Sequence, residues 1–238
     1  MRILIIGYGK MGQSIEQIAI DRGHTIAGIV DKDNTNSIND YSADTVDVAI
    51  EFTNPGAAYS NLTQCVKQGI PVISGTTGWL DHYQEFMEFC NAQNGTFLYA
   101  SNFSLGVNLF FKLNQYLAKL MNGMDYKVAM EEIHHTQKLD APSGTAITLA
   151  EGIINQNQAY KKWHLDTESA SESIPITAKR IDQTPGTHSV VYKSDIDSIE
   201  IKHTAHTRKG FALGAVLVAE WISDKSGILT MDDFLKLN

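Results

Sequence analysis

Two adjacent histidines, His134 and His135, stand just before Lys138. An imidazole with its ordinary pKa of about 6.5 exchanges protons at working pH. An ammonium supplies a positive charge and a proton. Shortly after comes Pro142-Ser143-Gly144-Thr145, and then a helical pattern over Ala146–Ile154 with Ser143 placed to cap it. The first N–H groups of a helix lack internal partners and carry the positive end of its dipole, so they bind anions. The stretch from Glu132 to Ala146 thus combines proton donors, a cation and an anion-binding helix start. A small substrate with two carboxylates would suit it. Either histidine alone could belong to an ordinary strand end; the spacing of the whole group points to chemistry.

A second group lies at the start of the chain. Gly7-Tyr8-Gly9-Lys10-Met11-Gly12 follows the apolar run Arg2–Ile6 and precedes a helical pattern that ends at Gly23. This is the G-x-G-x-x-G fingerprint between strand and helix. Gly7 allows the tight turn, Gly9 lets backbone approach a pyrophosphate, and Gly12 lets the helix pack on the strand. Thr25–Val30 reads as a second strand ending at Asp31, 19 residues past Gly12. An acid there holds the ribose hydroxyls of NAD. Lys32 beside it could pair with the 2′-phosphate of NADP, so both coenzymes stay open.

These groups need a scaffold. After a polar loop over Asn34–Asp44, strand patterns at Val46–Phe52, Pro71–Ser74 and Phe97–Ala100 alternate with helical patterns at Ala57–Gln68 and Leu80–Ala92. Such alternation predicts right-handed crossovers and a Rossmann-type, doubly wound parallel sheet. Ligands of such sheets bind beyond the carboxyl ends of the strands. The glycine loop, Asp31, Gly75-Thr76-Thr77 and Ser101-Asn102-Phe103-Ser104 all fall at those ends.

Leu105–Met121 reads as a helix leading out of this domain. Asp125–His135 alternates like a strand, which sends Glu132 and His134 to one face and His135 to the other. Which histidine faces a substrate is left open. Asn155–Ser173 is polar and reads as irregular. Ile174–Ile181, Gly186–Tyr192 and Ser198–His206 are strand patterns without intervening helices, which predicts an α+β second domain with an open mixed sheet. One face of that sheet would need covering, and a symmetric oligomer is the usual solution. Phe211–Ser223 is apolar nearly all round, as a buried return helix would be. Arg208 and Lys209 before it could touch cofactor or a neighbouring charge. His203 and His206 would point to opposite faces of a strand, so no metal is expected.

Composition bounds the rest. The chain has 238 residues, 43% hydrophobic and 19% charged, with a net charge of −8. That argues against nucleic acid as a partner. No apolar run approaches membrane-spanning length. Cys65 and Cys90 fit no metal or redox spacing and fall in helical patterns, as inert core thiols do. A reducing cytoplasm is the expected location.

On these residues the chain resembles the 4-hydroxy-tetrahydrodipicolinate reductase family, long called dihydrodipicolinate reductases. Glu132-Ile-His-His-Thr-Gln-Lys-Leu-Asp-Ala-Pro-Ser-Gly-Thr-Ala146 is similar to its signature almost residue for residue. Gly75-Thr-Thr-Gly78, Asn102-Phe-Ser-x-Gly-Val-Asn108 and Gly210-Phe-Ala-x-Gly-Ala-Val216 also match. The resemblance implies reduction of 4-hydroxy-tetrahydrodipicolinate by NADH or NADPH in lysine and diaminopimelate synthesis. It implies a dinucleotide-binding domain over 1–102 and 209–238, and a substrate-binding and oligomerisation domain over 103–208 that builds a homotetramer. It assigns His134 as the acid/base residue and Lys138 as proton donor, with His135, Gly144 and Thr145 binding substrate. Gly7, Tyr8, Gly9, Lys10, Met11, Gly12, Asp31, Lys32, Gly75, Thr76, Thr77, Ser101, Asn102, Phe103 and Ser104 would bind the dinucleotide. The glycine loop departs from the family: it is one residue shorter than the common form and carries lysine for arginine. Both changes touch the phosphate side, so the resemblance leaves the coenzyme choice open.

Two rival readings remain. Another amino-acid-pathway dehydrogenase could share the cofactor domain; one acting through a thioester needs a cysteine nucleophile at the cleft. A non-catalytic dinucleotide sensor would have no use for a proton donor beside an anion-binding helix start.

Overall fold

The computed structural model describes residues 1–33, 37–166, 170–207 and 209–236. In chain order the elements begin with β1 (Arg2–Ile6), α1 (Lys10–Asp21), β2 (Thr25–Val30), β3 (Val48–Glu51), α2 (Pro55–Lys67), β4 (Val72–Ser74), α3 (Tyr83–Ala92) and β5 (Thr96–Tyr99). Then come α4 (Leu105–Leu120), β6 (Lys127–His134), α5 (Gly144–Ile154), β7 (Lys162–Leu165), β8 (Ser173–Arg180), β9 (Gly186–Lys193) and β10 (Ser198–Ala205). The chain closes with α6 (Lys209–Ile222), β11 (Gly227–Leu229) and α7 (Met231–Leu235). It divides into two compact units, Met1–Leu105 with Lys209–Asn238, and Gly106–Arg208.

The first unit holds a six-stranded sheet in the order β11-β5-β4-β3-β1-β2, with every pairing parallel. β1, paired on both sides by β2 and β3, shows why the apolar run is continuous. Ile3 and Ile5 pack into one core with α1 and α6, while Leu4 and Ile6 pack into another with α2 and α3. Both faces are covered, so no position is left for a polar residue. Asn54 caps α2 by accepting from the Gly56 N–H at 3.1 Å, with Pro55 following as a first-turn residue. Trp79 is buried at the centre of the second core, edge-on to Phe86, Phe97 and Tyr99. This is the doubly wound sheet that the alternation predicts.

The second unit holds a five-stranded mixed sheet in the order β10-β9-β6-β8-β7. β6 pairs antiparallel with β9 and parallel with β8. α5 packs over it, with Ala146, Leu149, Ala150 and Ile153 in the same core as Val128, Met130, Ile174, Ile176 and Tyr192. β6 alternates as expected: Val128, Met130, Glu132 and His134 are buried.

Several expectations are corrected. Asn155–Ser173 is not all irregular, because Lys162–Leu165 forms an edge strand paired parallel to β8. An edge strand in polar surroundings is half exposed and carries little apolar signal. Leu80–Ala92 opens with a separate 3₁₀ turn, Leu80–His82. The loop after β2 contains a short turn, Ile38–Asp40, closed by a capping box between Ser37 and Asp40. The sequence reading missed β11 and α7. β11 is three residues long and only its pairing with β5 makes it a strand. Arg208 lies outside the described residues.

Candidate active site

The site in the second unit is built around one buried carboxylate. Glu132 is 0% exposed and His134 8%. Glu132 Oε2 accepts the Ser143 N–H at 3.0 Å, and Oε1 accepts Arg180 Nη2 at 3.0 Å. His134 Nδ1 lies 3.5 Å from Oε2 and His188 Nε2 3.7 Å from it. The rings of His134 and His188 meet edge to face, 5.0 Å between centroids, and the Ser143 hydroxyl contacts His188 Nε2 at 3.2 Å. Strands β6, β8 and β9 and the N-cap of α5 each supply a member, and their register brings the members together: His134 pairs with Arg180, and Glu132 with His188. Gly186, at φ +156°, leaves room for the His134 ring; a Cβ there would stand 3.2 Å from Nε2.

Electrostatics sort the roles. Burial works against the charge on Glu132, but the nearby His188 and the hydrogen bonds from Ser143 and Arg180 outweigh it and hold the carboxyl at about 2. Burial first, then the neighbouring His188, Lys138 and Arg180, push His134 down to about 4 against the pull of Glu132. At neutral pH His134 is therefore an uncharged imidazole. Lys138 lies on the loop that follows, with its Nζ 2.8 Å from each carboxylate oxygen of Asp140.

Arg180 also shapes the loop that carries Lys138. Its Nε donates to the Lys138 carbonyl at 3.2 Å, and its Nη2 to the Asp140 carbonyl at 2.5 Å. The loop then runs into α5, where Ser143 caps the helix by accepting from the Ala146 N–H at 3.2 Å. Among the described residues no acceptor from the chain meets the N–H of Gly144 or Thr145. Space in front of Gly144 is open, since a Cβ there would meet nothing within 4 Å. An anion has room and two donors at this helix start. His135 is half-buried one residue past the end of β6.

Glu132, His134 and His188 place one ligand atom each within 4.8 Å of one another, a set that could hold a divalent cation. By spacing the sequence pairs only His203 and His206; His188 reaches the cluster through the register of β9 with β6. In this chain the carboxylate is already held by Arg180 and the Ser143 N–H. His203 lies in β10 and His206 beyond its end.

In the first unit a cavity of about 560 Å³ is lined by Gly7, Tyr8, Gly9, Asp31, Lys32, Thr53 and Asn54, among others. Gly7 sits at φ +90°, and a Cβ on it would fall 2.1 Å from the Phe52 carbonyl oxygen. At Gly12 a Cβ would stand 2.2 Å from the Gly7 carbonyl oxygen, whereas at Gly9 nothing lies within 4 Å. The loop is closed tightly on itself and open on the side of Gly9, as a dinucleotide pyrophosphate needs. The residues present fit that group.

The other expected cofactor residues divide. Lys10 lines a separate groove with Gln13, Gln17 and Lys209. Tyr8 donates its hydroxyl to Glu16, and Met11 packs against the core. Phe103 is a core residue, its ring 5.7 Å from Phe52. Gly75 is required by the same Phe52 ring, which a Cβ would meet at 2.1 Å. The Thr76 hydroxyl is bound to Glu51. Thr77 and Ser101 are exposed, and the Asn102 side chain accepts the Ser104 N–H at 2.9 Å. Arg180, His188, Glu51 and Thr53 were not singled out in the sequence. Thr53 could have been, since it falls at the carboxyl end of β3.

Comparison with known proteins decides the family. Residues 1–103 match the N-terminal domain of dihydrodipicolinate reductase and residues 106–235 match its C-terminal domain. The chain belongs to the dihydrodipicolinate reductase family. The 4-hydroxy-tetrahydrodipicolinate reductase of Christiangramia forsetii is 56% identical over 99% of this chain and 98% of its own length. That of Methanococcoides burtonii is 40% identical over 79% of this chain and 72% of its own. The fold is shared with the dihydrodipicolinate reductase of Paenisporosarcina sp. TG-14, solved with dipicolinate bound, at a TM-score of 0.81 and 21% identity over 99% of both chains.

As a member of the dihydrodipicolinate reductase family, the chain is an NAD(P)H-dependent oxidoreductase. The thioester rival fails on its nucleophile. Cys65 and Cys90 are both buried, and burial raises Cys90 to about 11 and Cys65 further still. No helix among the described residues is long and apolar enough to cross a membrane.

Proposed function

We propose that this chain reduces 4-hydroxy-tetrahydrodipicolinate to tetrahydrodipicolinate in lysine and diaminopimelate biosynthesis, with NADH or NADPH as reductant. The single observation that carries the reading beyond family membership is the juxtaposition of Lys138, buried His134 and the open N–H groups of Gly144 and Thr145 at one end of the second sheet.

A dinucleotide held through its pyrophosphate by the glycine loop and through its adenosine ribose by Asp31 and Lys32 would supply the hydride. This chain's residues do the rest. The N–H groups of Gly144 and Thr145, with the Thr145 hydroxyl and His135, hold a substrate carboxylate. Once the substrate's 4-hydroxyl has left as water, hydride addition to the conjugated ring sends negative charge to the nitrogen side, and Lys138 Nζ donates the proton there. His134, neutral at rest with Nδ1 3.5 Å from Glu132 Oε2, takes up a proton transiently at Nε2 and returns it. Arg180 and the Ser143 N–H keep Glu132 in place for that work. Met1–Leu105 with Lys209–Asn238 serves as the dinucleotide-binding domain, and Gly106–Arg208 as the substrate and oligomerisation domain.

Asp31 and Lys32 line one cavity, so an acid for ribose hydroxyls and a cation for a 2′-phosphate are both at hand. That supports use of either coenzyme. A homotetramer is supported by the apolar stripe of α4: Leu109, Leu113, Tyr116 and Leu120 are 50%, 50%, 63% and 53% exposed and share one helix face. The substrate is a small dicarboxylate, the class to which the dipicolinate of the solved relative belongs.

The test is nicotinamide oxidation at 340 nm with each coenzyme. Substrate is generated in place from pyruvate and aspartate semialdehyde by the preceding synthase. Oxidation that needs both the synthase and this protein is expected. No oxidation, from folded protein that still binds dinucleotide, would overturn the reading in favour of a sensor.

A further inference from the structure

Glu51 ends β3 in the first unit and is 0% exposed. Among the described residues no cation pairs with it; its partners are all uncharged. Burying a carboxylate without a cation is unfavourable unless donors converge on it. Here they do. Ser74 Oγ donates at 2.6 Å, Thr76 Oγ1 at 2.8 Å and the Thr53 N–H at 3.1 Å, and the Thr53 hydroxyl donates as well. The Thr53 N–H also reaches Thr76 Oγ1 at 2.8 Å.

A carboxylate only accepts, and a hydroxyl has one proton. Glu51 therefore commits the protons of Thr53, Ser74 and Thr76 to itself. What these hydroxyls offer any further group is lone pairs, and at Thr53 one of these already faces Asn61 Nδ2 at a long 3.5 Å. Ser74 and Thr76 are buried, but Thr53 lines the cavity of the glycine loop. The strand order sets which half of a dinucleotide would meet it. β2, with Asp31 at its end, lies on one side of β1, and β3 and β4 lie on the other. With the adenosine on Asp31, the nicotinamide half falls at the ends of β3 and β4.

We propose that Glu51 is a positioning residue that fixes hydrogen-bond polarity in the nicotinamide half of the dinucleotide site. Through Thr53 it presents an acceptor and so selects the donors of the nicotinamide riboside, its carboxamide N–H or ribose O–H groups. The proposal rests on the reading that this cavity takes the dinucleotide.

The experiment is calorimetric titration of the full chain and of Glu51→Gln with NADH, ADP-ribose and the reduced 3-acetylpyridine analogue of NADH. A glutamine keeps the shape but adds donors, which turns the hydroxyl polarity. The Kd for NADH should rise about tenfold or more, the scale of losing one or two such hydrogen bonds, while that for ADP-ribose stays within about twofold. The analogue lacks the carboxamide N–H. If the wild type binds it more weakly than NADH and the variant does not discriminate, the carboxamide is the donor; if the variant weakens both alike, the ribose hydroxyls are. Thr53→Val removes the cavity-facing hydroxyl, leaves Glu51 its other donors, and should give the same selective loss even if the glutamine variant does not fold. Equal loss for NADH and ADP-ribose would reduce Glu51 to a fold determinant and overturn the proposal, as would no loss at all. Failure of the wild type to bind ADP-ribose would instead overturn the dinucleotide reading, and the proposal with it.

Discussion

Arg180 Nη2 lies 3.0 Å from Glu132 Oε1, and the same guanidinium reaches the carbonyls of Lys138 and Asp140. One side chain thus ties the loop that carries Lys138 to a carboxylate buried between strands. Arg180→Ala should destabilise the chain by about 3 kcal/mol, because removing one partner leaves the buried Glu132 short of its cation. Urea unfolding would measure it. Turnover should fall as well, since the loop carbonyls lose their common donor. Arg180→Lys should restore little, because an ammonium cannot span three acceptors in the plane of the fork. Full activity in the lysine variant would show that charge alone suffices.

The acid side of the stability curve should be governed by the same cluster. His134 sits at about 4, below its unfolded value of about 6.5, and Glu132 at about 2, below about 4.5. Both depressed values mean that the unfolded chain binds more protons than the folded one in those windows, so stability rises with pH. The His134 contribution is complete above pH 6.5 and is lost as pH falls toward 4. The Glu132 contribution is lost between about 4.5 and 2. For His134 the loss is on the order of 3 kcal/mol. Urea midpoints at pH 7.5, 5.5 and 4.5 would trace it, and His134→Asn should flatten the slope between 6.5 and 4. An unchanged slope in that variant would assign the acid loss to other groups.

Much of this was legible before the fold. The strand at Arg2–Ile6 declared itself through an unbroken apolar run, because a strand covered on both faces has no polar position. Ser143 was legible as a cap because its position relative to the helical pattern is local. His188 and Arg180 were not, because nothing in their neighbourhood differs from an ordinary strand. They join the site only through the cross-strand pairs Glu132 with His188 and His134 with Arg180, and register is a property of the sheet. Glu51 was hidden for the same reason: its donors Ser74 and Thr76 come from the next strand. Alternation along β6 put Glu132 and His134 on one face, yet did not show that burial, with His188, Lys138 and Arg180 close by, would hold His134 neutral.

Coenzyme choice should turn on Asp31. It ends β2 and lines the cavity with Lys32, so a 2′-phosphate there would meet one acid and one base. Asp31→Asn removes the repulsion and weakens the grip on ribose hydroxyls. The ratio of kcat/KM for NADPH over NADH should rise about tenfold, one lost charge-assisted hydrogen bond on one side and one lost repulsion on the other. Steady-state rates with both coenzymes would show it. A ratio that does not move would place the adenosine ribose elsewhere.

Lys138 carries the sharpest prediction about chemistry. Asp140 holds its ammonium with both oxygens, and the carboxyl is 60% exposed at the side chain against 22% for the lysine. The pair is therefore an exchangeable contact on the loop, where a substrate carboxylate could replace Asp140. Lys138→Ala should lower kcat by about 10²- to 10⁴-fold, the range for a positioned proton donor, with coenzyme Kd unchanged. Asp140→Asn frees the ammonium without removing it, so kcat should change far less and the effect should fall on KM for the dicarboxylate. If both variants lost kcat equally, the ion pair itself would be the working unit, and the proton would have to come from another group.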